Sequence, residues 1–248
     1  MTISRIDLNA DLGEGIGNDA AMLGLVTSAN VACGGHASDP DLMAATLRAA
    51  TARGVVVGAH PGYPDRQGFG RRVIPMQPDS IAVMVAAQIG ALQGVAALTG
   101  ARVAYVKAHG ALANLAADRR EVADAIARAT GAAGLALLAI SGTELEQAGR
   151  AAGLPTYAEI FADRAYLSNG RLVPRSHPMA MIHDPEQALH RLKSFLDTGL
   201  MPVIDGPPIR LAAQSVCIHG DSPEAVAMAE TLRRGLADRG IAVAAFLT

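Results

Sequence analysis

Four of the chain's seven histidines stand at the ends of short apolar runs, each next to or near a glycine or proline. They are His36 in Gly34-Gly35-His36, His60 in Gly58-Ala59-His60-Pro61, His109 in Lys107-Ala108-His109-Gly110 and His219 in Cys217-Ile218-His219-Gly220. Acids and amides recur at comparable places: Asn9, Asp11 and Glu14 after the first run, Asp163 beside Arg164 in a later one, and Asp221 after His219. Imidazole titrates nearest neutrality and suits general acid or base work. A carboxylate beside it orients the ring and stabilises its charged form. A lone histidine of this kind is more often a core residue bonded to a carbonyl; four at equivalent places point to a shared site.

Lys107 lies in an apolar run, two residues before His109 and on the same side of an extended strand, as Asn9 is to Asp11. An ammonium buried there is costly without an acid or an anion. Two readings stand equal: an ion pair with Asp7 or Glu159, or a clamp on a developing oxyanion or phosphoryl group. Asp11, His60 and His109 would also suit a divalent metal as two histidines and one carboxylate, although no His-Glu-x-x-His motif or cysteine pair accompanies them. Cys33 and Cys217 read as small buried hydrophobes and form no disulfide framework. Neither lysine sits in a Walker loop, and no G-x-G-x-x-G follows the first run. Gly68-Phe69-Gly70-Arg71-Arg72 could bind an anion.

These residues need a scaffold that aligns strand ends. Short apolar runs at 6–10, 29–33, 55–59, 102–107, 136–140, 156–160, 215–218 and 243–246 read as strands of a parallel sheet buried on both faces. Helices are expected at 40–52, 79–98, 119–129, 143–152, 185–197 and 223–239. Asp39-Pro40, Asp184-Pro185 and Ser222-Pro223 open three of them. Gly54, Gly100, Gly131, Gly153, Gly199 and Gly240 are expected as C-caps. Two long loops, 61–77 and 161–181, are candidates for function. The alternation predicts one α/β domain over 1–248, a complete or irregular (β/α) barrel with its site where the strands end; an open doubly wound sheet is the alternative.

At 248 residues the chain is long enough for such a barrel. Its net charge of −2, without a basic stripe, argues against nucleic acid. The stretch 80–101 carries no charge. With Gln88, Gln93 and Thr99 among alanines and valines, it reads as a buried helix rather than a membrane span, Gly90 and Gly94 serving close packing. No secretory h-region is visible, so a cytoplasmic protein is expected.

Taken together, several segments resemble the LamB/YcsF family in order along essentially the whole chain. They are Leu8-Asn9-Ala10-Asp11-Leu12-Gly13-Glu14, Asn30-Val31-Ala32-Cys33-Gly34, Gly58-Ala59-His60-Pro61-Gly62-Tyr63-Pro64-Asp65, Gly68-Phe69-Gly70-Arg71-Arg72, Val106-Lys107-Ala108-His109-Gly110-Ala111-Leu112, Phe161-Ala162-Asp163-Arg164-Ala165-Tyr166, Leu172-Val173-Pro174-Arg175-Ser176 and Cys217-Ile218-His219-Gly220-Asp221. Departures occur at Gly35 and Ser38, at Ala108 and Ala113, and at His177 and Met179, where the family usually carries other residues.

The resemblance implies an irregular (β/α) barrel akin to glycoside hydrolases and sugar deacetylases. It implies the ring-opening half of an ATP-dependent 5-oxoprolinase, working with partner subunits B and C that phosphorylate the lactam oxygen; association into homo-oligomers is also open. It implies catalytic roles among Asp11, His60, Lys107, His109, Asp163 and His219, and substrate binding by Asn9, Glu14, His36, Arg71, Arg164 and Asp221. Asp11, His60 and His109 fall where metal ligands lie in the deacetylase-like relatives. A stand-alone metal-dependent deacetylase or amidohydrolase is the competing expectation.

Overall fold

The segment Ile6-Asp7-Leu8-Asn9-Ala10-Asp11-Leu12 alternates apolar and polar residues, which in an extended chain puts an aliphatic face opposite an acid–amide face. In the computed structural model, which describes residues 3–219 and 224–247, it forms β1 (Arg5–Leu12). There follow α1 (Asp19–Met22), β2 (Ser28–Ala32), α2 (Pro40–Thr51), β3 (Val56–His60), α3 (Pro78–Thr99), β4 (Val103–Val106), α4 (Gly110–Asp118) and α5 (Arg120–Ala132). The second half comprises β5 (Ala136–Ile140), α6 (Glu144–Ala151), β6 (Thr156–Phe161), α7 (Pro185–Thr198), β7 (Leu200–Met201), β8 (Ile209–Arg210), β9 (Ser215–His219), α8 (Ala225–Ala237) and β10 (Ala242–Val243). The parallel strands β1, β2, β3, β4, β5, β6 and β9 pair in that order, and β9 pairs back onto β1. The result is a closed barrel of seven strands, as the barrel expectation required and the open sheet did not.

The expected eighth strand at 243–246 is not a stave. Closure through β1–β9 leaves it no edge. Only Ala242 and Val243 pair, with Arg5 and Ile6 at the start of β1. Phe246 then packs 4.9 Å from the Tyr105 ring and 4.8 Å from that of Tyr157. With Val56, Ala136 and Leu138 it closes the end of the barrel at which the strands begin.

The aliphatic faces of the staves meet the helices: Ile6, Leu8, Ala10 and Leu12 of β1 all join the main apolar core. Inside the barrel, polar side chains pack against one another instead of the branched aliphatics usual in such interiors. Asp7, Asn9, Ser28, Asn30, Tyr105 and Ser215 are fully buried there, and they are hydrogen-bonded across the strands, as buried polar groups must be. Tyr105 donates to Asn30 at 2.6 Å, Asn30 to Asn9 at 2.7 Å and Asn9 to Ser215 at 2.7 Å. Ser215 in turn donates to Asp7, which also accepts from Ser28 at 2.7 Å. The strands therefore read as apolar because half of each faces the helices.

Two of the expected caps are formed: Asp39 accepts from the Leu42 amide and Asp184 from the Glu186 amide, each at 2.9 Å. Ser222 and Pro223 lie outside the described residues. Gly100 and Gly199 close α3 and α7 in the left-handed conformation. Gly131 does not cap its helix: α5 runs on to Ala132, and Gly134 takes the left-handed turn (φ 68°). The helices α1 and α4 have no counterpart among the expected elements. α3 is long and apolar enough to span a bilayer. Its Ile81, Val85, Ile89, Leu92 and Ala96 are nevertheless buried, and the helix packs on α2, α5, β3 and β4. Gly90 and Gly94, expected in close packing, sit on the opposite side with exposed Val83 and Leu98, and nothing would lie within 4 Å of an added Cβ. The helical period assigns those positions to the outer face.

Candidate active site

The carboxyl ends of the staves surround a cavity of about 380 Å³. Asp11, His60, Lys107, His109 and His219 line it at the strand ends, and Arg71 and Arg164 reach it from the two long loops. Among the other sequence candidates, Asn9, Glu14, His36 and Asp163 are buried behind these residues, and Asp221 lies outside the described residues. The structure adds Glu159, Asn114, Arg171 and Arg175 to the lining. Arg175 stands in one of the family-like segments, but sequence alone gives no reason to turn it inward.

Lys107 rises from the end of β4 into the polar interior. Its Nζ lies 2.9 Å from Asp11 Oδ1, 3.2 Å from Glu159 Oε2, 3.1 Å from Asn9 Oδ1 and 2.9 Å from Cys217 Sγ. Of the two readings open for Lys107, these contacts are those of an ion pair, with Asp11 and Glu159 rather than Asp7. Burial opposes the lysine's charge, but the Asp11 carboxylate beside it is the chief influence that outweighs burial and holds the Lys107 pKa well above its ordinary value. Asp11 is the reciprocal case: burial would raise its pKa, and His60 and Lys107 together hold it well below the carboxylate range. Cys217 stays a thiol, since burial pushes its pKa well up.

His60 and His109 make the second feature. His60 Nδ1 is 2.8 Å from the Lys107 carbonyl, and His109 Nε2 is 2.8 Å from the Phe69 carbonyl. A carbonyl only accepts, so each of those nitrogens carries its ring's proton. The remaining nitrogens, His60 Nε2 and His109 Nδ1, face each other at 3.0 Å. Two lone pairs at that distance repel unless a proton or a cation lies between them. Carboxylates flank the gap: Asp11 Oδ2 is 3.3 Å from His60 Nε2, and Glu14 Oε1 is 3.6 Å from His109 Nδ1.

His36 completes the cluster. Its Nε2 is 3.0 Å from Glu14 Oε1, its Nδ1 has no hydrogen-bond partner among the described residues, and its ring stacks on His109 with centroids 3.7 Å apart. Burial pushes the His36 pKa down to about 3 and holds that of His109 well below its usual value. One donor atom each from Glu14, His36, His60 and His109 falls within 4.8 Å of all the others. Facing lone pairs, flanking carboxylates and an unpartnered imidazole nitrogen are a donor set that fits a divalent cation.

Backbone shape makes room for this cluster. Gly70 (φ 63°) would place a Cβ 2.7 Å from His36 Cβ, and Gly62 would place one 2.9 Å from His36 Nδ1. Gln88, a buried polar residue of α3, fixes Gly62 by accepting from its amide at 3.0 Å and donating to its carbonyl at 2.7 Å. Gly35, one of the departures from the family pattern, leaves space for Gln88: a Cβ there would lie 2.5 Å from Gln88 Oε1.

Across the cavity mouth, Asp163 and His219 form a dyad. Asp163 Oδ2 is 2.7 Å from His219 Nδ1, and the His219 ring stacks on Phe161 at 5.3 Å. Burial works to raise the Asp163 pKa, but His219 outweighs it and holds the carboxyl below its ordinary range. With Nδ1 engaged, Nε2 is the His219 nitrogen left to exchange a proton with a substrate. His219 pairs in register with Asp11, so the histidine of the dyad and the carboxylate beside His60 stand on adjacent strands.

A closed parallel barrel with a buried histidine–carboxylate centre at its strand ends is the class of protein this geometry defines. The fold is shared at 12% identity with a family 4 carbohydrate esterase from Streptomyces lividans (TM-score 0.50, covering 98% of this chain and 93% of that one). The chain belongs to the LamB/YcsF family, whose model matches residues 6–248. It is 48% identical to the A subunit of 5-oxoprolinase from Gluconobacter oxydans, covering 99% of both chains. It is 50% identical to the corresponding protein of Chloroflexus aggregans, covering 96% of this chain and 97% of the relative. A lactam utilization protein from Thermus thermophilus superposes with a TM-score of 0.90 at 41% identity, covering 97% of this chain and 99% of that one.

Proposed function

We propose that this chain is the ring-opening subunit of an ATP-dependent 5-oxoprolinase. Partner subunits B and C phosphorylate the lactam oxygen, and this chain hydrolyses the activated ring to L-glutamate. The observation that carries the reading is the convergence of two proton-handling units, the His60–His109 cluster and the Asp163–His219 dyad, on one cavity of small-molecule size. The names of the relatives support it over the length of the chain.

An unstrained lactam is a poor electrophile, and phosphorylation of its oxygen activates the ring carbon. Water must then lose a proton as it adds to that carbon, and the ring nitrogen must gain one as the C–N bond breaks; the resulting γ-glutamyl phosphate is hydrolysed by a second water to L-glutamate and inorganic phosphate. Two separately placed groups meet both demands. His219, oriented by Asp163, carries a proton through Nε2 between solvent and the reacting atoms. His60 and His109, fixed by the Lys107 and Phe69 carbonyls, keep their lone pairs turned inward beside Asp11 and Glu14. His60, His109, His36 and Glu14, with Asp11 beside them, would hold a divalent cation, which when bound polarises a substrate oxygen and lowers the pKa of water. Lys107 keeps Asp11 ionised and in place.

A metal-dependent deacetylase or amidohydrolase acting alone is the second reading, favoured by the same donor set. The two part in one assay: glutamate release from 5-oxoproline by the chain alone, and by the chain with ATP and subunits B and C. The proposal requires turnover only in the complete mixture. Full activity of the isolated chain on a simple amide would transfer the protein to the second reading.

A further inference from the structure

The cavity has a second, cationic wall that neither histidine unit explains. Arg71, Arg164, Arg171 and Arg175 all line it. Arg171 is paired with Asp118 at 2.5 Å. Arg164 is different: it is only 4% exposed, one Nη donates to the Val173 carbonyl at 2.7 Å, and its Nε meets no acceptor among the described residues. The adjacent acid, Asp163, is engaged with His219. A guanidinium buried with an unused donor is costly. The chain also brings Arg175 and Arg71 to the same space from different loops. Burial, followed by the charge of Arg175, lowers the Arg164 pKa to about 10, with Arg71 contributing in the same direction. Cations that weaken one another in the free protein are stabilised together by a multiply charged anion. Lys107, the other cation of the cavity, is already surrounded by Asp11, Glu159, Asn9 and Cys217.

We propose that Arg164, Arg175 and Arg71 form a phosphoryl subsite in the wall of the cavity, which takes the phosphate carried by the activated substrate and releases it as inorganic phosphate. Guanidinium groups match the geometry of a phosphate dianion through paired donors. The substrate assignment rests on the ring-opening reading, but the subsite itself can be tested without it.

The experiment is calorimetric titration of the full-length isolated chain with inorganic phosphate, at fixed ionic strength and against chloride. Saturable binding to the wild type is expected, weakened about tenfold or more in Arg164→Met and in Arg175→Met, each of which removes a charged donor. Arg175 is exposed, so its replacement keeps the test valid even if Arg164→Met disturbs folding. Arg239→Met, just past the end of α8 beside Asp197 and outside the cavity lining, should bind as the wild type does. Absence of saturable phosphate binding, or equal binding in Arg175→Met, would overturn the subsite. A non-hydrolysable ATP analogue serves as a second titrant: binding tighter than phosphate and lost in the same variants would assign the arginines to nucleotide and overturn the proposal. Phosphate binding without lactam turnover in the complete mixture would retain the subsite and remove the ring-opening reading. Turnover without phosphate binding would do the reverse.

Discussion

Lys107 Nζ and Asp11 Oδ1 meet at 2.9 Å inside the barrel, each holding the other charged against burial. Asp11 is thereby fixed beside His60, so one ion pair sets both the polar packing of the interior and the position of the site's carboxylate.

Removing one partner from such a pair leaves a buried charge uncompensated. Lys107→Met should therefore lower the free energy of unfolding by about 3–5 kcal/mol. Urea denaturation followed by circular dichroism measures this. A loss below about 1 kcal/mol would show that the pair does not organise the barrel.

The dyad should behave as one unit. His219→Ala and Asp163→Asn are each expected to reduce turnover of the complete 5-oxoproline assay by about 10²–10⁴-fold. The double variant should be little worse than His219→Ala, because groups acting together are not additive. Multiplicative losses would mean that Asp163 and His219 work separately.

The buried imidazoles predict a dependence of stability on pH in metal-free protein. The His36 pKa is about 3 in the folded chain and about 6.5 in the unfolded one. Above pH 6.5 both states are neutral at this residue and its contribution is constant. As pH falls from about 6.5 towards 3, the unfolded state takes up a proton that the folded state does not, and stability declines by up to about 1.4 kcal/mol per pH unit for this group. His109, displaced in the same direction, adds to the slope. Denaturation midpoints across this window should fall steeply in the wild type and less steeply in His36→Gln. Identical slopes would exclude His36 as a source.

Cation binding should relieve the facing lone pairs of His60 and His109. Titration of chelator-treated protein with Zn²⁺ or Co²⁺ is expected to saturate at one ion per chain and to raise the melting temperature. His60→Ala and His109→Ala should weaken binding by at least about 100-fold, more than the loss of a supporting residue costs. Unchanged melting temperature at saturating metal would show that a shared proton, not a metal, fills the gap.

Much of the framework is written locally. Apolar runs between capped helix starts mark all seven staves, and Asp39 and Asp184 cap where their spacing from proline places them. α4 escapes a local reading because it begins at Gly110 directly after His109, without a polar cap of its own. The segment 243–246 has the composition of a strand, but composition does not say whether a sheet still has a free edge.

The sequence by itself determined which residues reach the strand ends, because strand length and the two-residue alternation of side chains are local properties of the chain. It placed Asp11, His60, His109 and His219 at that end of the barrel, and it left Lys107 between two roles. Only the tertiary structure decided which partners each residue has. Closure of β9 onto β1 sets His219 beside Asp11. The Phe69 and Lys107 carbonyls, which determine the outer protonation of His109 and His60, come from a loop and a neighbouring strand. Arg164 and Arg175 line one cavity because their loop folds back on itself, through the bridge of Tyr166 with Leu172. Distances of this kind depend on how distant segments pack, and no local pattern encodes them.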